Sequence, residues 1–199
     1  MAMVFNGTTS KVEHTTATVV PGALSTICAR VYAVGQGEGG FGKVFCFPEG
    51  GASNLGHQNV ADTLRFARDF TGGGSADGIW TFPATDGQWN AVSISYDAGV
   101  TTNDPVARVN FASATITETQ APVGTGSTPA TGYCIGNVTG QTGTWDGYLA
   151  HVQCFSVILA ASEMDQALRR PGSVRRGMTL WRPLRNGTDA AEWSGNNYQ

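Results

Sequence analysis

Lysine is nearly missing from this chain. Lys11 and Lys43 stand against ten arginines in 199 residues. Charge of either sign is scarce: 14% of residues are charged, where about 25% is usual. That scarcity excludes a charge-driven disordered chain. It also excludes a coiled coil, whose flanking positions need charge. No apolar run approaches the ~18 residues of a membrane span. The opening Met1–Gly7 has neither a basic start nor a long apolar stretch, so no signal peptide is expected. The net charge of −3 gives no case for nucleic-acid binding. Cysteine is limited to Cys28, Cys46, Cys134 and Cys154. Their wide spacings match no zinc pattern, and each sits in an apolar run as a buried thiol would.

What is abundant is punctuation. Twenty-seven glycines and eight prolines divide the chain into short segments. Strands are expected at 3–6, 10–13, 23–34, 43–48, 62–68, 78–82, 88–97, 105–111, 114–119, 132–137, 145–158 and 178–184. In 88–97 the residues Trp89, Ala91, Ser93 and Ser95 oppose Asn90, Val92, Ile94 and Tyr96, and the second face is the more apolar. The run 145–158 is apolar on both faces. Strict alternation puts Leu149, Phe155 and Val157 on one and Tyr148, Val152 and Ile158 on the other, as in a strand covered on both sides. One helix is expected, over 162–170. Ser162 would cap it, Glu163 and Asp165 would favour its start, Arg169 and Arg170 its end, and Pro171-Gly172 would stop it. This pattern predicts an all-β, two-sheet antiparallel sandwich with one short helix near the C-terminus.

Charge is unevenly placed. Residues 1–168 carry a net −7 and residues 169–199 a net +4. The basic set is Arg169, Arg170, Arg175, Arg176, Arg182 and Arg185, either a solvated face or a dock for an acidic neighbour.

Gly37-Glu38-Gly39-Gly40-Phe41-Gly42-Lys43-Val44 fits a kinase glycine-rich loop, overlaps a dinucleotide fingerprint and comes within one residue of a P-loop. The phosphate motifs need a helix immediately afterwards. A strand, Lys43–Pro48, follows instead, so a glycine-rich hairpin loop is expected. A kinase would also need a catalytic-loop His-Arg-Asp and a metal-binding Asp-Phe-Gly; neither triplet occurs, Asp69-Phe70-Thr71 being the nearest.

Catalytic constellations are equally thin. The one Glu-x-Asp, Glu163-Met164-Asp165, lies on the expected helix, where residues two apart diverge. No Gly-x-Ser-x-Gly elbow occurs. His14, His57 and His151 are isolated, and His151, with no partner acid or thiol placed beside it by sequence, is expected to be a half-buried structural residue. Asp97, Asn103, Asp104 and Asp146 offer oxygens to calcium, but no loop pattern is diagnostic. Among five tryptophans, Trp89 and Trp145 are expected in the core. Trp193 and Tyr198, in the polar tail, are expected to be exposed and available to a glycan or a partner.

Taken in order, several segments resemble the concanavalin A-like lectin/glucanase superfamily, in particular its laminin-G-like jelly rolls. Phe5-Asn6-Gly7 with Ser10-Lys11-Val12 resembles that family's opening strand pair. Thr26–Val31 resembles its next strand. Trp89-Asn90-Ala91-Val92-Ser93-Ile94-Ser95-Tyr96-Asp97 resembles its core strand. Ala107-Arg108-Val109-Asn110 follows, with Phe111 in place of the turn glycine. Tyr133-Cys134-Ile135-Gly136-Asn137, Trp145–Val152 and Leu159–Met164 resemble the closing strands and the entry to the short helix. The resemblance implies a jelly-roll domain over 1–171. It leaves 172–199 as a basic segment whose terminal strand completes the sheet or docks on a partner. It implies glycan binding, protein binding or a structural role, and no catalysis, because the acid motifs of the family's hydrolases are missing. The terminal Leu180-Trp181-Arg182-Pro183-Leu184 and the low charge are similar in style to bacteriophage virion proteins. The first expectation is therefore a non-catalytic virion subunit, a capsid decoration or tail accessory protein. It would contact other virion proteins or copies of itself, and neither nucleic acid nor membrane. The alternative is a carbohydrate-binding module or lectin, and a remote third is a glycosidase or lyase. No cofactor is expected, calcium being the one open option.

Overall fold

A computed structural model describes residues 2–14, 23–47, 54–72, 77–127, 132–138 and 142–184. Its strands are β1 (Met3–Asn6), β2 (Val12–His14), β3 (Leu24–Ala33), β4 (Lys43–Cys46), β5 (Asn54–His57), β6 (Thr63–Arg68) and β7 (Gly78–Pro83). They continue with β8 (Trp89–Asp97), β9 (Val106–Val109), β10 (Ala112–Ser113), β11 (Thr117–Gln120), β12 (Tyr133–Ile135), β13 (Asp146–Phe155) and β14 (Met178–Pro183). One helix, α1 (Ala161–Arg169), lies between β13 and β14.

The strands form two seven-stranded sheets. The first runs β1-β13-β3-β8-β9-β10, with β14 also paired to β13. The second runs β11-β7-β6-β5-β4-β12-β2. Every strand pairing is antiparallel. The inner faces meet in one apolar core, where Tyr96 of the first sheet packs on Trp80 (ring centroids 4.8 Å apart) and Phe66 (5.8 Å) of the second. The buried Trp80 indole keeps a partner by donating to Asp104 Oδ1 at 3.0 Å, as a buried N–H must.

The helix lies on the outer face of the first sheet. Met164, Ala167 and Leu168, at helical spacing, pack on Cys28, Ala91 and Phe155. The predicted cap at Ser162 is displaced. The N-cap is Ala160, which has no side-chain oxygen to offer, and Ser162 lies within the helix. Glu163 does the capping by accepting from the Ala160 N–H at 2.8 Å, and Arg176 pairs with it at 2.7 Å. Asp165 turns to Arg108 of β9 in a two-pronged ion pair, 3.0 Å for each contact.

Alternation fails in β13 at Ala150. The pairing with β3 shifts register between Leu149 and His151. This bulge puts both Leu149 and Val152 in the core, while Tyr148 and Phe155 face outward. The expected face assignment is therefore wrong beyond Ala150, because one extra residue resets the phase. The glycine-rich segment is not a hairpin loop either. It carries the chain from β3 in one sheet to β4 in the other through a short turn at Glu38–Gly40. At Gly37, with φ +75°, a Cβ would lie 2.4 Å from the Thr144 carbonyl oxygen, so only glycine fits.

Candidate binding surface

β13, β3 and β8 place three aromatic residues in one row. Tyr148 pairs in register with Tyr32, and Tyr32 with Trp89. Residues directly opposite share a face, and here it is the outer face of the first sheet. β1 extends the row with Val4, opposite Tyr148. The rings brace one another edge to face. Tyr32 lies 5.8 Å from Trp89 and 5.5 Å from Tyr148, both T-shaped. Trp89 and Val4 are each 45% exposed and Tyr148 38%. At about 4.8 Å per strand the four-residue row spans about 14 Å. Helix α1 covers the far end of this face and leaves the row open.

This corrects the expectation that Trp89 is buried. The signal was in the sequence: Trp89 is in phase with Ala91, Ser93 and Ser95, the less apolar face of its strand. Tyr32 and Tyr148 carried no sequence mark, since a tyrosine in a strand serves a core as readily as a surface.

Beside the row, Arg30 lies two residues before Tyr32 on the same face and is exposed. His151 pairs with it in register and is buried. Burial, and then the Arg30 charge, push the His151 imidazole down to about 4, so it is neutral near pH 7. It is a structural residue, with the aromatic row on one side and the helix seat on the other.

Five of the six arginines expected to form a basic dock are described, and three of them have separate partners. Arg169 lies over the Phe111 ring at 3.9 Å. Arg170 ends the helix, and Arg176 is held by Glu163. Arg175 is exposed in the turn that follows. Arg182 lies on β14 opposite the core residue Val152, and its Nε donates to the Tyr133 hydroxyl at 2.6 Å. Arg185, Trp193 and Tyr198 lie outside the described residues.

Acid–base chemistry finds little footing among the described residues. His57, fully buried, does have an acid partner that sequence reasoning missed: Nε2 lies 2.9 Å from Asp86 Oδ1. Its other ring nitrogen contacts the Gln58 carbonyl oxygen. Asp86 also receives the Asp62 N–H at 3.1 Å, and Asp62 receives that of Asp86 at 2.7 Å. With both ring nitrogens engaged, His57 clamps two turns together and has no free nitrogen for a nucleophile. Asp69 and Asp77 face each other across the β6–β7 hairpin. Burial, and then the Asp77 charge, push Asp69 up to about 6. The four cysteines are buried, and none forms a disulfide. Burial raises Cys28, Cys46 and Cys154, which leaves them protonated and unreactive.

Of the four oxygen donors considered for calcium, three lie in one segment, Asp97 to Asp104, and Asp146 lies apart. Asp97 ends β8 and accepts the Gly99 N–H at 2.9 Å, Asn103 donates to the Asp97 carbonyl, and Asp104 holds the Trp80 indole. Asp146 begins β13, opposite Asn6, at the other end of the sheet. Among the described residues no group of three or more His, Cys, Asp or Glu could hold a metal ion.

No protein-family model matches the chain, and no curated protein matches it. Solved structures do. A "putative carbohydrate binding protein" from Bacteroides ovatus superposes with a TM-score of 0.62 at 15% identity, over 92% of this chain and 52% of that one. The LG4-5 domains of the mouse laminin alpha1 chain give 0.52 at 12% identity, over 94% of this chain and 47% of that one. The carbohydrate-binding module CBM40 of the Ruminococcus gnavus IT-sialidase, bound to alpha2,3 sialyllactose, gives 0.52 at 12% identity, over 82% of this chain and 96% of that one. The chain thus spans about half the length of the first two. At these identities the likeness is one of fold: the chain is a two-sheet antiparallel jelly roll.

Proposed function

We propose that this jelly roll is a non-catalytic carbohydrate-binding module that uses the row Trp89, Tyr32 and Tyr148 as its platform. The observation that carries this reading is the row itself: three mutually braced rings, in register on three strands, left uncovered by the helix. Flat aromatic faces take up the C–H faces of sugar rings, and the tyrosine hydroxyls and Arg30 offer hydrogen bonds at the margin. The likeness to proteins named for carbohydrate binding supports it.

The virion reading now ranks second. It drew on a terminal strand that completes its own sheet or docks on a partner, and β14 pairs with β13 of its own chain. It drew also on a basic cluster of which Arg169, Arg176 and Arg182 are held by separate neighbours.

The test is a glycan array, read with calcium and again with chelator, followed by titration of the best glycan into Trp89→Ala. Because Trp89 is half exposed, the variant should fold with an unchanged melting temperature. Affinity should fall by about tenfold or more, as for a central aromatic anchor. A blank array, or full affinity in Trp89→Ala, refutes the assignment.

A further inference from the structure

The outer face of the second sheet carries a different kind of surface. Lys43 of β4, Gly56 of β5 and Arg65 of β6 pair in register, and Thr81 of β7 and Thr117 of β11 continue the line. Phe66, next to Arg65, points into the core against Tyr96, so this line points outward. The central glycine matters. A Cβ at Gly56 would lie 3.0 Å from Lys43 Cδ and 2.5 Å from the Gly42 carbonyl oxygen. The lysine stem therefore lies over the glycine. The crossover loop adds Phe41, with Lys43 Nζ 5.7 Å and Arg65 Cζ 6.0 Å from its ring centroid. Two cations thus converge on one ring.

Among the described residues no carboxylate forms an ion pair with Lys43 or Arg65, and neither side chain donates a hydrogen bond. Asp77 partly offsets the Arg65 charge without pairing with it. The mismatch is severe at Lys43, a lysine 93% buried. Burial, and then the Arg65 charge, pull its ammonium down to about 8. Such residues are almost never buried unless paired.

The geometry points to an anion seat: Lys43 and Arg65, meeting over Gly56, receive the carboxylate of an acidic sugar. Arg65 offers a planar fork that matches a carboxylate, and Lys43 a point charge at its side. This rests on the glycan-binding reading but uses the opposite face of the sandwich from the aromatic row.

The probes are an oligogalacturonate, its neutral methyl ester and inorganic sulfate, each titrated into the full chain. Lys43 acetylation by a succinimidyl ester is followed by mass spectrometry at the same time. The oligogalacturonate should bind and protect Lys43. The methyl ester should bind about tenfold more weakly or worse, and added salt should weaken the charged ligand alone. Arg65→Gln should lose the preference for the acidic form with an unchanged melting temperature, and Lys43→Arg should keep the preference. Equal affinity for acid and ester, or no protection of Lys43 by any probe, overturns the seat. Protection by sulfate equal to that by the oligosaccharide overturns the sugar as its source. If Trp89→Ala leaves glycan binding intact while Lys43 is still protected, the platform fails and the seat stands. If Trp89→Ala abolishes neutral-glycan binding and Lys43 stays unprotected, the reverse holds.

Discussion

Gln153→Leu tests how the helix is held. The Gln153 side chain is fully buried on the outer face of the first sheet. Its Nε2 donates to the Ala167 carbonyl oxygen at 2.9 Å, and its Oε1 accepts the Gly172 N–H at 2.9 Å. One amide thus satisfies two backbone groups at the end of α1. Leucine has similar volume and no polar atoms. It would leave a buried donor and a buried acceptor unpaired, at about 1–3 kcal/mol each. Leucine regains part of this through its own burial, about 1 kcal/mol over glutamine. The net loss should be about 1–5 kcal/mol, a large share of the ~5–15 kcal/mol that a domain usually has. Urea denaturation should show a lower midpoint at unchanged slope. Hydrogen exchange should quicken first in Ala161–Arg169, because those amides lose their anchor before the sheets open. A loss below about 1 kcal/mol with α1 still protected would refute the clamp.

Two further perturbations follow from the same packing. Gly136→Ala places a methyl group 1.8 Å from Phe5 Cε1, at a residue with φ +76°; a loss of about 3 kcal/mol or more in thermal unfolding is expected, and a wild-type melting temperature would contradict it. His151, held at about 4 in the fold, binds its proton more readily when unfolded, so stability should fall as pH drops from about 6.5 through 4. His151→Gln should flatten that part of the pH profile; an unchanged slope between about pH 7 and 4.5 would show that another group is responsible.

Much of the architecture is legible in the sequence because period-two alternation and turn residues are local. β3, β6, β8 and α1 fall within about two residues of their expected places, the usual uncertainty of element ends. β5 was missed: Asn54-Leu55-Gly56-His57 is four residues long with a glycine inside, so it carries almost no periodic signal. β10 is shorter still. The candidate surface was less legible, for a physical reason. Exposure is decided by what lies across the sheet, and pairing register is long-range. Nothing local says that Tyr32, Trp89 and Tyr148 share a row, or that Asp86 reaches His57. Lys43 drew attention through the glycine-rich motif, but phosphate cradling was the wrong chemistry for a residue that begins a strand.

The bulge at Ala150 ties these features together. β13 must serve two neighbours along one edge: β1 pairs with Asp146–Leu149, and β14 with His151–Phe155. The extra residue sits where one hands over to the other, and its carbonyl oxygen accepts the Leu184 N–H at 2.9 Å. A strand without it would turn every side chain beyond residue 150 to the opposite face. Gln153 would then point into the apolar core and Val152 toward the helix. With it, Leu149 and Val152 both enter the core, Gln153 and Phe155 meet α1, and Tyr148 stays outside beside Tyr32. The open aromatic row and the covered helix seat are thus two halves of one face, divided at the residue that breaks the alternation.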